Sequence, residues 1–306
     1  MKLFISADIE GCAGLAIPAE AHKQESVYRA YAQEMTKEVL VACETAHAMG
    51  AEQIVVKDGH GDASNIDPLR MPDYVTLIRG KSGHPYNMMW GIDDSFDGVL
   101  YIGYHAPAGD PRFSISHTST GNSLTIRLNG ACMSEFMLNS YTAASHGVPI
   151  LFLSGDEAIC GLAKELVPTI ETAVTKRGTG GATICEPPGV VEERIRAGVE
   201  RALSRQTVVS VPVKESMPES PLDRAVTADR EDRRSGAVRT GRVWTGDPGC
   251  RLALPERFIY EVTFKDWKKA YQMSFYPGME QVDTFTDRLV TDRWMDVVTA
   301  HCFVVY

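Results

Sequence analysis

Three stretches near the start of the chain determine the fold: LFISA at residues 3–7, SVYRAYAQEMTKEVLVACETAHAM at residues 26–49 and IVV at residues 54–56. The first and the third are short apolar runs of the kind that form buried strands. In the second, apolar side chains recur at steps of three and four residues and Gly50 follows as a left-handed stop signal, which predicts an amphipathic helix. A strand, a helix and a strand form a βαβ unit with a right-handed crossover, so the sequence predicts a parallel or mixed sheet covered by helices.

The rest of the first half extends this sheet and adds a hairpin. Three further apolar runs have the length of buried strands: Val75–Ile78, Val99–Ile102 and Val148–Leu153. Apolar and polar residues alternate in Phe113–His117 and again in Leu124–Leu128, which leads into Asn129-Gly130, a dipeptide favoured in type I′ turns. We therefore expect a strand at the first of these segments and a β-hairpin around the dipeptide. Ser134 then begins a helical segment with Glu135 in its first turn.

The second half of the chain has a different character. Beyond about residue 185 the pattern predicts helix Val190–Leu203, strand Thr207–Val213, strand Phe258–Phe264, helix Asp266–Ser274, strand Gln281–Phe285 and helix Asp287–His301. Asp223–Arg242 interleaves acidic residues with Arg and has little apolar content, which indicates an exposed loop, arm or lid. We predict an α/β fold with a parallel or mixed central sheet flanked by helices in residues 1–188. A smaller α+β C-terminal domain is expected in residues 189–306, with a charged insertion at about 214–249.

Composition argues against several classes of protein. The 306 residues are 44% hydrophobic and 23% charged, which is ordinary for a globular chain. The net charge of −9 argues against nucleic acid as a partner, because neutralising phosphates requires a basic face. No apolar run approaches the ~18 residues of a membrane span, and we expect no targeting leader. The seven cysteines are scattered and never form a C-x-x-C pair, so we expect no disulfide framework, no thiolate zinc site and a cytoplasmic location.

Residues able to bind metals follow three of the predicted strands. They are Asp8 and Glu10 after the first strand, His60 after the second and His105 after the fourth. Because the carboxyl ends of the strands in an open α/β sheet form one crevice, we expect these side chains to converge there. Asp8 and Glu10 are two residues apart, so both point the same way from an extended chain, and Gly11 permits a tight turn after them.

With Glu135, the candidate metal ligands number five and include no cysteine, which suits Zn²⁺ or Mn²⁺. Five ligands exceed what one tetrahedral site with an open position uses, so with one carboxylate as a bridge they would serve two ions. Taken singly, each carboxylate could instead be a helix cap or a solvated charge, and each histidine a packed residue. Taken together they indicate a dinuclear metallohydrolase.

His117 and Asp58 are candidates for supporting roles. His117 continues the alternating segment 113–117, and a neutral imidazole there could exchange protons or donate a hydrogen bond to a developing oxyanion. A hydrogen-bonded histidine of the sheet is the equally open alternative. Asp58, two residues before His60, could orient that histidine or cap the end of its strand.

Five separated motifs suggest a known family. They are KLFISADIEG at residues 2–11, DGH at 58–60, DDSFDGVLYIGYHA at 93–106, SH at 116–117 and NGxxxSEFxLN at 129–139. Together, and in this order, they resemble the D-aminopeptidase DppA family of zinc peptidases, the M55 class. The resemblance covers most of residues 1–165 and recurs more weakly in the C-terminal part, including Pro277–Glu280.

The resemblance implies both a site and an activity. It implies two zinc ions bridged by Asp8 and further bound by Glu10, His60, His105 and Glu135, with His117 as the catalytic residue. It also implies cleavage of an N-terminal residue, often of the D configuration, from short peptides by a homo-oligomer, which is decameric in the best-known member. The chain is longer than the family's members, chiefly through Asp223–Gly249, and we expect this segment to line a substrate entrance or an oligomer contact.

We therefore predict a dinuclear metal-dependent aminopeptidase or amidase, with Zn²⁺ or Mn²⁺, that hydrolyses short peptides or amino-acid amides through a metal-bound hydroxide. Two alternatives use similar residues. One is a dinuclear phosphoesterase, although the only Arg-rich stretch that could hold phosphate is 223–242. The other is a non-catalytic metal-binding or peptide-binding protein. The sequence has no H-E-x-x-H, G-x-S-x-G, P-loop or G-x-G-x-x-G motif, which argues against serine hydrolases and nucleotide enzymes.

Overall fold

The computed structural model describes residues 1–205, 208–212, 240–244 and 247–306, which form three β-sheets. The strands in chain order are β1 (Lys2–Ala7), β2 (Gln53–Asp58), β3 (Val75–Ile78), β4 (Gly98–Tyr104), β5 (Ser123–Leu128), β6 (Ala131–Cys132), β7 (Ile150–Asp156), β8 (Glu171–Thr179), β9 (Ala182–Cys185), β10 (Val208–Pro212), β11 (Thr240–Trp244), β12 (Phe258–Phe264), β13 (Met279–Gln281) and β14 (Thr286–Thr291). The largest sheet has seven strands in the order β3-β2-β1-β4-β7-β8-β9. Its neighbouring strands are parallel except β8 and β9.

Helices cover both faces of this seven-stranded sheet. The α-helices of the described residues are α1 (Tyr28–Ala48), α2 (Glu135–Ser145), α3 (Glu157–Leu166), α4 (Pro188–Ser204), α5 (Trp267–Met273) and α6 (Trp294–Val304). On one face, Met35 of α1 and Val191 of α4 share an apolar core with the sheet. On the other face, Phe136 of α2 and Ile159 of α3 do the same. The α/β class predicted from the sequence, with a mixed central sheet flanked by helices, is confirmed.

A second sheet is antiparallel and has five strands in the order β13-β14-β12-β5-β6. It shares a separate core with α5 and α6, including Tyr260, Ala270 and Val297. Because β5 and β6 come from the first half of the chain, this sheet joins residues that are far apart in sequence. The division into domains 1–188 and 189–306 stays a prediction. Much of the charged insertion, residues 213–239, lies outside the described residues.

The predicted hairpin and the helix after it bring Glu135 to the edge of the first sheet. Leu128 pairs with Ala131 across a two-residue loop, and both loop residues, Asn129 and Gly130, have positive φ, as a type I′ turn requires. Ser134 caps α2 by accepting a hydrogen bond from the backbone N–H of Met137. The hairpin and the helix start are both as the sequence predicted.

Three segments differ from the prediction. Phe113–His117 is not a strand but an irregular loop, because the chain turns where the backbone N–H and the hydroxyl of Ser116 both donate to the carbonyl of Phe113. The predicted strand Gln281–Phe285 is largely a turn, in which the carboxylate of Asp283 accepts the backbone N–H of Phe285. The predicted helix Asp287–His301 is strand β14 followed by α6.

The misassignment near residue 287 has a physical cause. Asp287 is fully buried in β14, at the same face as the buried Leu289. A carboxylate at a core position hides the alternation by which a strand is recognised in a sequence. The apolar residues of α6, which follow β14, give residues 287–301 as a whole a helical pattern.

The order of the first sheet determines where a ligand would bind. β1 lies beside β2 on one side and β4 on the other, so the order of strands reverses at β1, and crevices for ligands form at the carboxyl ends of strands at such a point. Among the residues that the structure describes, no helix is both long and apolar enough to cross a membrane.

Candidate metal centre

Five side chains converge at the carboxyl ends of β1, β2 and β4. Nδ1 of His60 lies 3.0 Å from Oε2 of Glu10 and 3.4 Å from Oδ1 of Asp8. Nε2 of His105 lies 3.5 Å from the other oxygen of Asp8, Oδ2, and 3.4 Å from Oε1 of Glu135. The five residues predicted as metal ligands therefore form one cluster. Its three carboxylates and His105 are buried.

The loop that carries Asp8 and Glu10 lies directly against β4. The backbone N–H of Gly11 donates to the carbonyl of Gly103 at 2.8 Å, and a Cβ on Gly11 would lie 1.9 Å from the carbonyl oxygen of Tyr104. Only glycine permits this close approach of two backbones. The tight turn predicted after Glu10 is present, and its contact with β4 sets the position of the Glu10 carboxylate.

Strand β8 holds the same loop from the other side. The buried ammonium of Lys176 donates to the carbonyls of Glu10 at 2.5 Å and Leu15 at 2.7 Å. The hydroxyl of Thr175 donates to the carbonyl of Gly11 at 2.6 Å. These contacts link residues more than 160 positions apart, and nothing in the sequence indicated them.

Each imidazole of the site has one nitrogen engaged by a backbone carbonyl. Nε2 of His60 is 2.9 Å from the carbonyl of Ala21. Nδ1 of His105 is 2.9 Å from the carbonyl of Ala106. Because a carbonyl only accepts, each engaged nitrogen carries the proton, and in the neutral imidazole the other nitrogen presents its lone pair to the carboxylates. This is the arrangement by which proteins prepare histidines to bind metals.

His117 lies beside the cluster although its segment is not a strand. Its ring stacks on that of His105, with the centroids 4.3 Å apart. Its Nδ1 is 2.9 Å from the carbonyl of Ile115, so Nε2 faces the site, 3.8 Å from Oε1 of Glu10 and 3.9 Å from Oε1 of Glu135. His117 is partly exposed to the cavity, which gives a bound molecule access to it.

Asp8 divides the cluster into two groups of potential ligands. One group is Asp8, Glu10 and His60, and the other is Asp8, His105 and Glu135; within each, the ligand atoms lie within 4.8 Å of one another. A third group, Glu10, His105 and His117, meets the same limit. Since the two oxygens of Asp8 face different imidazoles, this carboxylate has the geometry of a bridge between two cations.

The electrostatics of the cluster favour positive charge. Burial, reinforced by repulsion from Glu10, raises the pKa of Asp8 to about 7. Burial would also raise the pKa of Glu135, but the imidazoles of His105 and His117 and the backbone N–H of Ser119 together outweigh burial and lower that pKa to about 2. Burial would lower the pKa of His105, but the carboxylates, with Glu135 foremost, raise it to about 10. The carboxylates thus draw protons onto the imidazoles, and bound cations would displace those protons.

Two buried atoms show that the residues fit a metal. Oε2 of Glu10 and Nε2 of His105 are buried, and although imidazole or carboxylate atoms lie 3.0–3.5 Å from them, neither has a partner with hydrogen-bond geometry within the described residues. Leaving such atoms unsatisfied is costly. Both belong to the candidate ligand groups, and a nitrogen and oxygen donor set without sulfur suits Zn²⁺ or Mn²⁺.

Asp58 does not contact the imidazole of His60. Its carboxylate accepts the backbone N–H groups of Asn65 at 2.6 Å and Ile66 at 2.8 Å, and the side-chain amide of Asn65 at 2.7 Å. The same amide donates to the carbonyl of His60. Asp58 therefore positions the backbone of His60 through Asn65 rather than orienting the ring.

A cavity of about 530 Å³ opens onto the cluster. Besides the predicted site residues, its wall includes Lys81, Ser119 and Tyr306, which were not predicted from the sequence. Ser119 donates its backbone N–H to Oε1 of Glu135 at 2.7 Å and has a positive φ of 64°. No motif marks these three residues, because they come from separate loops and from the end of the described chain.

Comparisons with known proteins identify relatives of this chain. A family model for peptidase family M55, described as D-aminopeptidase, matches residues 1–237. A D-aminopeptidase of Bacillus subtilis strain 168 is 30% identical over 228 residues, which cover 74% of this chain and 80% of the relative. A solved structure described as the Zn-dependent D-aminopeptidase DppA from Bacillus subtilis, a self-compartmentalizing protease, has the same fold. It aligns with a TM-score of 0.80 and 23% identity over 100% of this chain and 97% of its own.

Proposed function

Since the chain belongs to the M55 family of D-aminopeptidases, and is thereby a metal-dependent hydrolase of peptide bonds, we propose that it removes the N-terminal residue of short peptides at the cluster around Asp8. The single observation that carries this proposal is the position of Asp8, whose two oxygens face two different groups of ligands. Amino-acid amides are the smallest substrates with the same reacting group. The family and the name of the relative favour substrates with a D-configured first residue.

Two zinc ions per chain are the cofactors that we propose, with Mn²⁺ as the alternative metal. Asp8, Glu10 and His60 would hold one ion, and Asp8, His105 and Glu135 the other. Bound there, zinc supplies Lewis acidity, which polarises a carbonyl and lowers the pKa of a water molecule toward ~7. Three protein ligands for each ion leave positions open for substrate, as catalytic sites require.

His117 is the residue that we assign to the reacting atoms. Its Nε2 faces the cavity at the edge of the cluster, and the carbonyl of Ile115 fixes the ring through Nδ1. From there it can donate a hydrogen bond to the oxygen of the scissile carbonyl or deliver a proton to the leaving amine. The acidic side chains around it suit the positively charged amino group of a peptide's first residue.

We also propose that the protein is a cytoplasmic homo-oligomer, and a decamer is the specific assembly to test. The solved structure that it resembles is described as self-compartmentalizing, which supports an assembly that encloses its sites. All seven cysteines are free, in keeping with a reducing compartment.

The test couples metal analysis to a panel of paired D- and L-aminoacyl amides, short peptides and aryl phosphates. We expect about two zinc ions per chain and hydrolysis of the aminoacyl substrates. Turnover of phosphates alone would establish a phosphoesterase instead, and bound metal without any turnover would establish a binding protein. An active enzyme holding fewer than two ions per chain would overturn the dinuclear arrangement.

Two variants separate binding of metal from catalysis. His60→Ala should lose both metal and hydrolysis, because it removes a ligand from one of the two groups. His117→Ala should keep its metal and lose ~10²- to 10⁴-fold in kcat, the usual contribution of a general acid or base. His22→Ala is the matched control, since His22 lines the cavity without belonging to any of the ligand groups. Unchanged hydrolysis in His117→Ala would refute the role given to His117.

A further inference from the structure

Lys81 is a cation at the wall of the cavity with no anionic partner among the described residues. Its ammonium donates to the carbonyl of Gly59 at 3.3 Å and to Oδ1 of Asn87 at 2.9 Å, and both acceptors are neutral. Among the described residues that line the cavity, it is the only lysine or arginine. An ammonium has three protons to donate, so at least one stays available to a bound molecule.

Asn87 connects Lys81 to Tyr306. Because Oδ1 of Asn87 accepts from Lys81, its Nδ2 must be the atom that donates to the phenol oxygen of Tyr306, 2.5 Å away. Asn87 adopts a positive φ of 45°, an uncommon conformation for a residue other than glycine. Since the phenol oxygen accepts from Asn87, the proton of Tyr306 points elsewhere.

The side chain of Ser119 is a second hydrogen-bond partner of the same phenol. Its hydroxyl is 2.8 Å from Nε2 of His301, whose Nδ1 is 2.9 Å from the hydroxyl of Tyr260. Tyr260 is fully buried with His301 as its partner, so satisfying its proton requires it to donate to Nδ1, and Nε2 then donates to Ser119. The hydroxyl protons of Ser119 and Tyr306 are therefore not used in these bonds. When one of the two hydroxyls donates its proton to the other, the proton of the accepting hydroxyl stays available to a molecule in the cavity.

The ammonium of Lys81 lies 5.8 Å from the centroid of the Tyr306 ring, so a cation and a hydroxyl donor share one wall of the cavity that opens onto the metal cluster. Lys81 donates a hydrogen bond to the carbonyl of Gly59, the residue before the candidate ligand His60. A cation and a neutral donor side by side match the two oxygens of a carboxylate. In a short peptide, the carboxylate nearest the scissile bond is that of the C-terminus, which in a dipeptide lies only two atoms beyond the amide nitrogen.

We propose that Lys81 and Tyr306 form a subsite for the C-terminal carboxylate of the substrate, so that the chain prefers a dipeptide acid to the corresponding dipeptide amide. This inference rests on the proposed aminopeptidase function. It adds a specificity-determining pair that takes no part in metal binding.

The experiment compares a dipeptide acid, D-alanyl-glycine, with its C-terminal amide, D-alanyl-glycinamide. We expect the wild type to have a KM for the acid about 10-fold or more below that for the amide. Lys81→Met should raise the KM for the acid about 10- to 100-fold, the effect of losing one charged hydrogen bond, with kcat and the KM for the amide changed less than about 3-fold. Tyr306→Phe should raise the KM for the acid by a smaller factor, and Lys81→Arg should restore part of the loss.

Direct binding provides a second measurement that does not depend on turnover. In calorimetry, a dipeptide analogue with a reduced amide bond should bind the Lys81→Met variant more weakly than the wild type, by the same factor as the rise in KM for the acid. The metal content of the variant should equal that of the wild type. Lys164→Met, on the exposed side of α3, is the matched control. Equal KM values for acid and amide in the wild type, or equal losses for both in Lys81→Met, would overturn the subsite. A wild type that hydrolyses neither compound would instead refute the proposed function.

Discussion

Single hydrogen bonds to backbone carbonyls determine how each imidazole of the site can act. His60, His105 and His117 are each held through one nitrogen, and in each case the other nitrogen faces the carboxylates. The chemistry at this scale is therefore fixed by local backbone geometry. The carbonyls come from Ala21, Ala106 and Ile115, of which only the last two are near their histidine in sequence.

His301 gives a prediction at the same scale. Burial lowers the pKa of His301 to about 4, whereas a histidine in the unfolded chain titrates near ~6.5. Between these two values the unfolded state binds a proton that the folded state does not, so stability must fall as the pH falls from 6.5 toward 4. The contribution of His301 should decrease by about 2 kcal/mol between pH 7 and pH 5.

Urea unfolding at these two pH values, with the wild type and His301→Gln, measures this effect. The variant is expected to be less stable at pH 7, because Ser119 and Tyr260 lose their shared partner, but its stability should fall by about 2 kcal/mol less on acidification. Taking the difference between the two proteins removes the titration of the metal ligands. Parallel pH dependences would contradict the prediction.

At the scale of the element, the contact between the ligand loop and β4 can be tested with glycines. Gly11→Ala should destabilise the fold by about 3 kcal/mol, because its Cβ would overlap the backbone of Tyr104, and should lower metal content, because Glu10 is displaced with the loop. Gly161→Ala is the control: apart from the backbone of α3 itself, no atom lies within 4 Å of the new Cβ, and the change should be neutral or stabilise by up to ~1 kcal/mol. Thermal unfolding and metal analysis measure both variants, and a Gly11→Ala protein with wild-type metal content would show that the loop does not depend on this contact.

Elements with a continuous apolar pattern were predicted well, and those that depend on tertiary partners were not. β1, β3 and α1 lie where the sequence placed them, because their patterns come from burying one or both faces against the same core. β14 was missed because its core position is filled by the carboxylate of Asp287. The loop at 113–117 was assigned as a strand, although its alternating residues pack around a turn.

For the whole molecule, we expect the proposed homo-oligomer to form through the exposed aromatic side chains at and just after α5. Trp267, Tyr271 and Phe275 follow one another at steps of four residues and are 51%, 57% and 71% exposed. The rings of the last two are in edge-to-face contact, 5.3 Å apart. A contiguous aromatic surface of this kind is typical of an interface.

We expect the double variant Tyr271→Glu/Phe275→Glu to dissociate the proposed homo-oligomer, with a lower mass by light scattering and an unchanged circular dichroism spectrum. Both side chains are exposed, so the substitutions place no charge in the core of the subunit. Leu69→Glu is the control, since Leu69 is 92% exposed in a different segment, and its mass should not change. A double variant that keeps the full mass would place the interface elsewhere.

The sequence by itself determined the α/β class and the candidate ligands Asp8, Glu10, His60, His105 and Glu135, because buried strands have a local apolar pattern and the ends of parallel strands share one edge. Only the tertiary structure decided that Asp8 faces two imidazoles, that Lys176 holds the ligand loop and that Lys81 and Tyr306 share a wall of the cavity. These are contacts between segments up to 219 residues apart, as between Asn87 and Tyr306. No local pattern encodes such contacts, since they follow from how the sheets and loops pack against each other.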